Sequence, residues 1–181
     1  YFEMVIERLL NYEPIQYILG STLFFGSYFI VDKQVLIPRP ETEELISWIL
    51  EQVDTKQPIK ILDVGTGSGC IAISLAKLLP HAEVYAMDIS LGALSIAKQN
   101  AEANQVVVQF IEASVLEWEN QDLLFDVIVS NPPYVRESEK DMMSPNVLNH
   151  EPHLALFVEN NNPLLFYKAI VEMSKRNLTK E

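Results

Sequence analysis

Cysteine is almost absent from this 181-residue chain. Cys70 is the only one, so no disulfide can form within it. That fits a reducing cytoplasm, the compartment expected here. Cations are also scarce: 13 Lys and Arg stand against 25 Asp and Glu, for a net charge of −12. So acidic a chain repels phosphate backbones unless its basic residues cluster. The clearest cluster, Lys175-Arg176 with Lys180 nearby, reads as solvated helix surface. A protein or small-molecule partner is therefore expected, and direct nucleic-acid binding is not. No stretch approaches 18 uninterrupted apolar residues, so no membrane partner is expected. The start, Tyr1-Phe2-Glu3, has neither a basic n-region nor an initiator Met. It is expected to lie inside a longer protein.

What is present is an ordinary globular balance, 49% hydrophobic and 21% charged, enough for one domain with a core. Residues 1–12 read as the end of an N-terminal helical region, and residues 13–40 as a hairpin linker and a proline loop. Within the linker, the aromatic and apolar stretch 22–31, broken at Gly26, predicts a β-hairpin. In Leu36-Ile37-Pro38-Arg39-Pro40-Glu41-Thr42-Glu43 the two prolines force an extended loop. Thr42 is the expected N-cap of a helix that buries Leu45, Ile46, Trp48 and Ile49.

Residues 41–181 alternate between strand and helix signals. Strands are expected at 59–64, 82–87, 106–111 and 125–130, and helices at 70–79, 91–103 and 164–178. This is the α/β pattern of a Rossmann-like, doubly wound parallel sheet with helices on both faces. Such a sheet normally has further strands after the fourth, so the C-terminal strands are expected to be missing and the domain incomplete.

The first strand runs into Asp63-Val64-Gly65-Thr66-Gly67-Ser68-Gly69, followed by a helix. Strand, glycine turn and helix let a ligand approach the backbone, and the helix N-terminus offers N–H donors to an anion. The dinucleotide fingerprint Gly-x-Gly-x-x-Gly does not fit, because Cys70 stands where its last glycine belongs. Asp63 can take a cationic amino group. A ligand with both ammonium and carboxylate, such as the methionine part of S-adenosylmethionine, fits better than a pyrophosphate. Asp88 closes the second strand, 23 positions after Gly65, where an acid can accept hydrogen bonds from ribose hydroxyls.

Asn131-Pro132-Pro133-Tyr134 follows the fourth strand directly. In the usual strand order the first and fourth strands are neighbours, which sets Asn131 beside the glycine loop. A nitrogen conjugated to a carbonyl or ring is a poor nucleophile. Its planar NH₂ can donate to the Asn131 side-chain oxygen and the Pro132 carbonyl, while Tyr134 stacks on its flat face. These are the expected catalytic and acceptor-binding residues.

On these motifs the chain resembles the HemK/PrmC family, the protein-(glutamine-N5) methyltransferases of peptide chain release factors, with a class I S-adenosylmethionine-dependent methyltransferase fold. The resemblance runs from about Glu13 to Tyr167. It rests most specifically on the Leu36–Glu43 segment, preceded by Gln16-Tyr17-Ile18-Leu19-Gly20 and Phe25-Gly26. Asp88-Ile89-Ser90, Ser130–Tyr134, Glu151-Pro152 and Leu165-Phe166-Tyr167 follow in order. The resemblance implies methyl transfer to the side-chain amide of the glutamine in a release factor's Gly-Gly-Gln loop. Asp63, Gly65 to Gly69, Asp88 and Asn131 would hold S-adenosylmethionine, and Asn131 to Tyr134 the glutamine. Ser114 and Val115 match the family's adenine contacts, with Trp118 as an alternative, although a packing role suits Trp118 better.

Arg39 either orients the cofactor side of the cleft or pairs with Glu41 or Glu43. His150, Glu151 and His153 suggest no metal, because Pro152 breaks the helix that a His-Glu-x-x-His site needs. Two other functions remain open: an RNA or DNA base N-methyltransferase, which the acidity opposes, and a non-catalytic cofactor-fold binding module, which intact Asp88 and Asn131 oppose.

Overall fold

The computed structural model describes residues 2–179. Helices α1 (Phe2–Leu10) and α2 (Ile15–Leu19) precede a hairpin of β1 (Ser21–Phe24) and β2 (Ser27–Ile30). Then follow α3 (Glu41–Gln52), β3 (Lys60–Val64), α4 (Cys70–Leu78), β4 (Glu83–Asp88), α5 (Leu91–Ala103), β5 (Gln109–Glu112) and β6 (Val127–Ser130). The two-residue strand β7 (Val135–Arg136), α6 (Pro145–Leu148), β8 (Phe157–Val158) and α7 (Leu165–Asn177) complete the order.

The main sheet is parallel throughout, in the order β5-β4-β3-β6. Its strands alternate between two apolar layers, as a period of two requires. Ile61, Val84, Ala86 and Val129 pack with Ile71, Ile73 and Leu75 of α4, Ile46 and Ile49 of α3, and Phe24 and Phe29 of the hairpin. Leu62, Val64, Tyr85 and Met87 pack on the other face with Trp118, Phe125 and Met173. Because both faces are covered, β3, β4 and β6 read as largely apolar runs, whereas the edge strand β5 is half polar.

Two polar side chains tie this frame together. Asn100 of α5 is fully buried. Its Oδ1 accepts from Ile30 N at 2.6 Å, and its Nδ2 donates to Ile30 O at 3.0 Å and Ser68 O at 2.9 Å. One side chain thus joins the hairpin to the glycine loop. Asn177, also fully buried, donates to the carbonyls of Asn120 and Leu123 and accepts from Trp118 Nε1 at 3.2 Å. Trp118 is therefore a packing residue on the α7 side of the sheet.

Several local expectations need correction. Thr42 is not an N-cap. Pro40 already has helical dihedrals (φ −54, ψ −35), α3 starts at Glu41, and Thr42 turns inward. Trp48 is 62% exposed rather than buried. The third strand of the domain begins at Gln109 and not at Val106. After α5 the chain turns through Gln105 at φ 58, and only from Gln109 does it pair with β4. Residues 15–19, given no structure above, form α2, which ends on Gly20 at φ 73. Past α7, Leu178 bridges Phe125 in parallel, which sets it beside the start of β6.

Gly69 allows α4 and α5 to approach each other. A Cβ there would lie 2.8 Å from Ile73 Cδ1 and 3.1 Å from Ala97 Cβ, on a backbone at φ 82. At Gly65 (φ 71) a Cβ would meet nothing within 4 Å. Gly69→Ala should therefore cost roughly 3 kcal/mol, strain plus overpacking, and Gly65→Ala about 1 kcal/mol. Urea denaturation of the two variants tests this, and equal losses would remove the packing role of Gly69.

Candidate functional site

Parallel pairing brings two loops together at the carboxyl edge of the sheet. Val64 pairs with Ser130 in register, and the Ser130 hydroxyl donates to Val64 O at 2.6 Å. The glycine loop leaves from one residue and Asn131 from the other. Gly65 and Thr66 donate their N–H groups to Met87 O at 2.8 and 2.9 Å. Gly67 N donates to Asp88 Oδ2 at 2.9 Å, and Ser90 N to Asp88 Oδ1 at 2.9 Å. Asp88 is thus oriented by backbone while each carboxylate oxygen keeps a further lone pair.

Asp63 lies behind this loop. It is fully buried, its Oδ2 accepts from Thr66 Oγ1 at 2.6 Å and Ala72 N at 3.3 Å, and its Oδ1 has no hydrogen-bond partner among the described residues. Burial pushes its carboxyl up to about 7, against the hydrogen bonds from Thr66 and Ala72 and with help from the nearby Asp88 charge. Asp63 braces the loop from within and is not on the wall of the cavity.

A cavity of about 430 Å³ opens between the two loops. Of the residues singled out from sequence, Gly65, Thr66, Gly67, Ser68, Asp88, Ser114, Val115, Asn131, Pro132 and Pro133 line it. Gly69, Tyr134 and Trp118 do not. Ser114 caps a short 3₁₀ turn at Val115–Glu117, accepting from Leu116 N at 3.2 Å. Tyr134 is 59% exposed and faces a neighbouring open hollow with Tyr167, Pro163 and Leu164.

Another part of the wall holds residues that the sequence did not mark for the site: Leu36, Pro38 and Thr42 from the proline segment, and Pro152, Leu154 and Ala155. Asn131 Nδ2 donates to Thr42 Oγ1 at 3.4 Å. Among the described residues Asn131 Oδ1 accepts no hydrogen bond, so its acceptor remains available. Glu151 closes this wall. Its side chain is 1% exposed, its Oε2 accepts from Ile37 N at 3.2 Å, and its Oε1 pairs with Arg39 Nη2 at 2.7 Å. Arg39 is therefore paired with neither Glu41 nor Glu43. Glu43 instead accepts from Phe25 N at 2.8 Å. The sequence signs of this wall were the proline pair, which demanded an extended segment, the reading of Arg39 as a cleft residue, and Glu151-Pro152 in the resemblance; nothing local marked that these segments face each other.

His150 bonds Asn11 O at 2.9 Å, and His153 bonds Leu148 O at 2.8 Å. Among the described residues no group of three or more His, Cys, Asp or Glu is placed to hold a metal ion, and no helix is long and apolar enough to cross a membrane.

Residues 45–155 match the model of the methyltransferase small domain family. A release factor glutamine methyltransferase of Flavobacterium psychrophilum is 55% identical over 98% of this chain and 64% of its own length. One of Bacteroides thetaiotaomicron is 50% identical over 97% of this chain and 63% of its own. The chain thus spans a little under two thirds of these relatives. Among solved structures, the hMettl16 catalytic domain in complex with MAT2A 3'UTR hairpin 1 superposes with a TM-score of 0.62 at 16% identity, covering 98% of this chain and 74% of that one. The human methyltransferase 10 domain containing protein gives 0.57 at 20% identity, over 97% and 75%. At these identities the two structures show a shared fold.

Burial of Asp63 predicts a pH dependence. A carboxyl raised in the folded state keeps its proton between about pH 4 and pH 7, where the unfolded chain has lost it. The stability it contributes is therefore full below pH 4 and is lost as pH rises through about 7. Asp63→Asn, which keeps the acceptor for Thr66 and Ala72, should flatten the change in stability across that window. Urea midpoints measured at intervals from pH 5 to 8 test it, and an unaltered slope would assign the effect to other groups.

Proposed function

The chain belongs to the methyltransferase small domain family, and on that premise we propose that it transfers a methyl group from S-adenosylmethionine to the side-chain amide nitrogen (N5) of the glutamine in the Gly-Gly-Gln loop of peptide chain release factors. The observation that carries this reading is Asn131, with an available Oδ1, next to Pro132 on the wall that faces the glycine loop. The name and similarity of the Flavobacterium relative, 55% identical over nearly all of this chain, support the acceptor. The net charge of −12 suits a protein substrate better than a nucleic acid. Release factors act on the ribosome, which puts the reaction in the cytoplasm.

The residues present fit this cofactor. A Cβ at Gly65 or Gly67 would meet, beyond its chain neighbours, no atom of the described residues within 4 Å, so the loop opens onto space that a ligand's chain can fill. A volume of about 430 Å³ suits a small-molecule site. Gly65 to Ser68 would hold the methionyl part, Asp88 the ribose hydroxyls, and Ile89, Ser114 and Val115 the adenine. Gly69 would serve through helix packing and Asp63 by bracing the loop. When bound, S-adenosylmethionine supplies an electrophilic methyl group.

The chain's own residues act on the acceptor. Asn131 Oδ1 and the Pro132 carbonyl accept the two N–H bonds of the planar amide, which fixes the position and tilt of its nitrogen. Thr42 anchors the other end of the Asn131 side chain. Pro132 and Pro133 have no N–H to compete with the substrate. Tyr134 lies outside the main cavity and would meet the polypeptide on either side of the glutamine. Neither acceptor is a base at neutral pH, so rate comes from positioning and dipole alignment, and the excess proton of the methylated nitrogen passes to solvent water after transfer.

The test combines full-length protein, S-adenosylmethionine and a purified release factor. The Gly-Gly-Gln peptide should gain the mass of one methyl group, and a Gln→Ala release factor should gain none. Asn131→Ala should slow turnover by on the order of a hundredfold while leaving cofactor affinity nearly intact. No gain on the glutamine, with cofactor binding demonstrated, would move the acceptor to another protein or to RNA. Parallel loss of cofactor affinity and turnover in Asn131→Ala would overturn the assignment of Asn131 to the acceptor.

A further inference from the structure

We propose that Arg39 binds a main-chain carbonyl of the acceptor polypeptide next to the methylated glutamine; this rests on the function proposed above. Among the described residues Arg39 is the only cationic side chain on the cavity wall. Its guanidinium carries five N–H donors. Glu151 takes one of them, through Nη2 at 2.7 Å, and the Arg39 side chain is still 34% exposed.

Position places Arg39 at the acceptor end. Thr42 N donates to Arg39 O at 3.0 Å, one turn from the Thr42 hydroxyl that meets Asn131. Pro152, next to the Glu151 that holds Arg39, also lines the cavity. Rigidity follows from the same contacts. The guanidinium is held by a buried carboxylate that also accepts from Ile37 N, and prolines flank Arg39 on both sides. A donor mounted this way loses little entropy on binding.

Charge selects the ligand class. Glu151 neutralises Arg39, so the pair offers directed N–H donors without net positive charge. That suits a neutral carbonyl better than an anion. The carboxylate of the cofactor's methionyl part would instead meet backbone N–H groups of the glycine loop and the start of α4, since both line the cavity. A polypeptide with its glutamine amide on Asn131 and Pro132 would bring its own main-chain carbonyls to the rim where Arg39 sits.

The experiment compares full-length wild type, Arg39→Gln and Arg39→Lys with a purified release factor as substrate. Readouts are KM for the release factor, kcat, and affinity for S-adenosylhomocysteine. Arg39→Gln should raise KM by on the order of tenfold, the factor carried by one hydrogen bond of about 1.4 kcal/mol. Cofactor affinity should stay unchanged. Arg39→Lys keeps the charge but loses the planar fork, and should show the same rise in KM; it also answers the question should Arg39→Gln fail to fold. A wild-type KM in Arg39→Lys overturns the proposal. So does a loss of cofactor affinity in either variant, which would place Arg39 at the cofactor or in the scaffold. If wild type leaves the release factor unmethylated, the functional reading fails and this inference with it. If wild type methylates it and the variants keep its KM, only this inference fails.

Discussion

Val64 and Ser130 are paired residues at the carboxyl ends of two parallel strands, and the Ser130 hydroxyl reaches across to Val64 O. Because the pairing is parallel, the chain must leave both strands at the same edge. Because β3 and β6 are neighbours out of sequence order, the two exits carry unrelated loops. This is a topological switch point, where an open α/β sheet leaves a crevice at its edge. The glycine loop and Asn131-Pro132-Pro133 line one cavity for that reason. A one-residue slip of β6 would turn the faces of its side chains over and separate the two loops.

A crevice alone is too open to hold two reactants, and the N-terminal segments close it. The hairpin is tied to the glycine loop by Asn100, and the proline loop to the segment after Asn131 by Glu151. Both side chains are buried with their polar atoms engaged, as buried polar groups must be if they are to rigidify and not weaken a core. Among the described residues Asp63 and Ser74 are exceptions, and Asp63 is the ionisable one. One of its oxygens is satisfied and the other is orphaned. Its cost falls on the ionised form, so the glycine loop is braced by a carboxyl whose protonation is sensitive near neutrality.

The sheet was legible because β3, β4 and β6 are largely apolar runs, and because Gly65 and Asp88 mark strand ends by chemistry as well as by pattern; β5, Gln109-Phe110-Ile111-Glu112, is half polar. Local signals failed where a neighbour in space overrode them. Thr42 has the right side chain for a cap, but Pro40 had already entered helical dihedrals, and the cavity claimed the hydroxyl. Val106 belongs to an apolar run, yet Gln105 at φ 58 spends the next three residues on the turn to the sheet. Arg39 had acidic residues two and four positions away, and its partner proved to be 112 positions along the chain. Tyr134 follows Pro133 immediately, but it faces the second hollow and not the main cavity. Spacing conveys what one element does; it carries no information about which element lies opposite.

The disposition of charge bears on which nitrogen the site can accept. At the cavity, Asp88 is oriented by Gly67 and Ser90 on the glycine-loop side, Asp63 is held behind that loop by Thr66 and Ala72, and Glu151 is engaged by Ile37 and Arg39. At the acceptor end proposed above, Asn131 and Pro132 would offer dipoles without a net charge. A protonated amine would have to shed its proton and its hydration there with no carboxylate in compensation, which is costly in a partly desolvated pocket. A neutral amide needs only two carbonyl-type acceptors in the plane of its N–H bonds, and it pays little to leave water. On the function proposed above, a chain that is strongly acidic overall would present a locally neutral acceptor site, and this neutrality would favour an amide nitrogen over the far more nucleophilic amine of lysine.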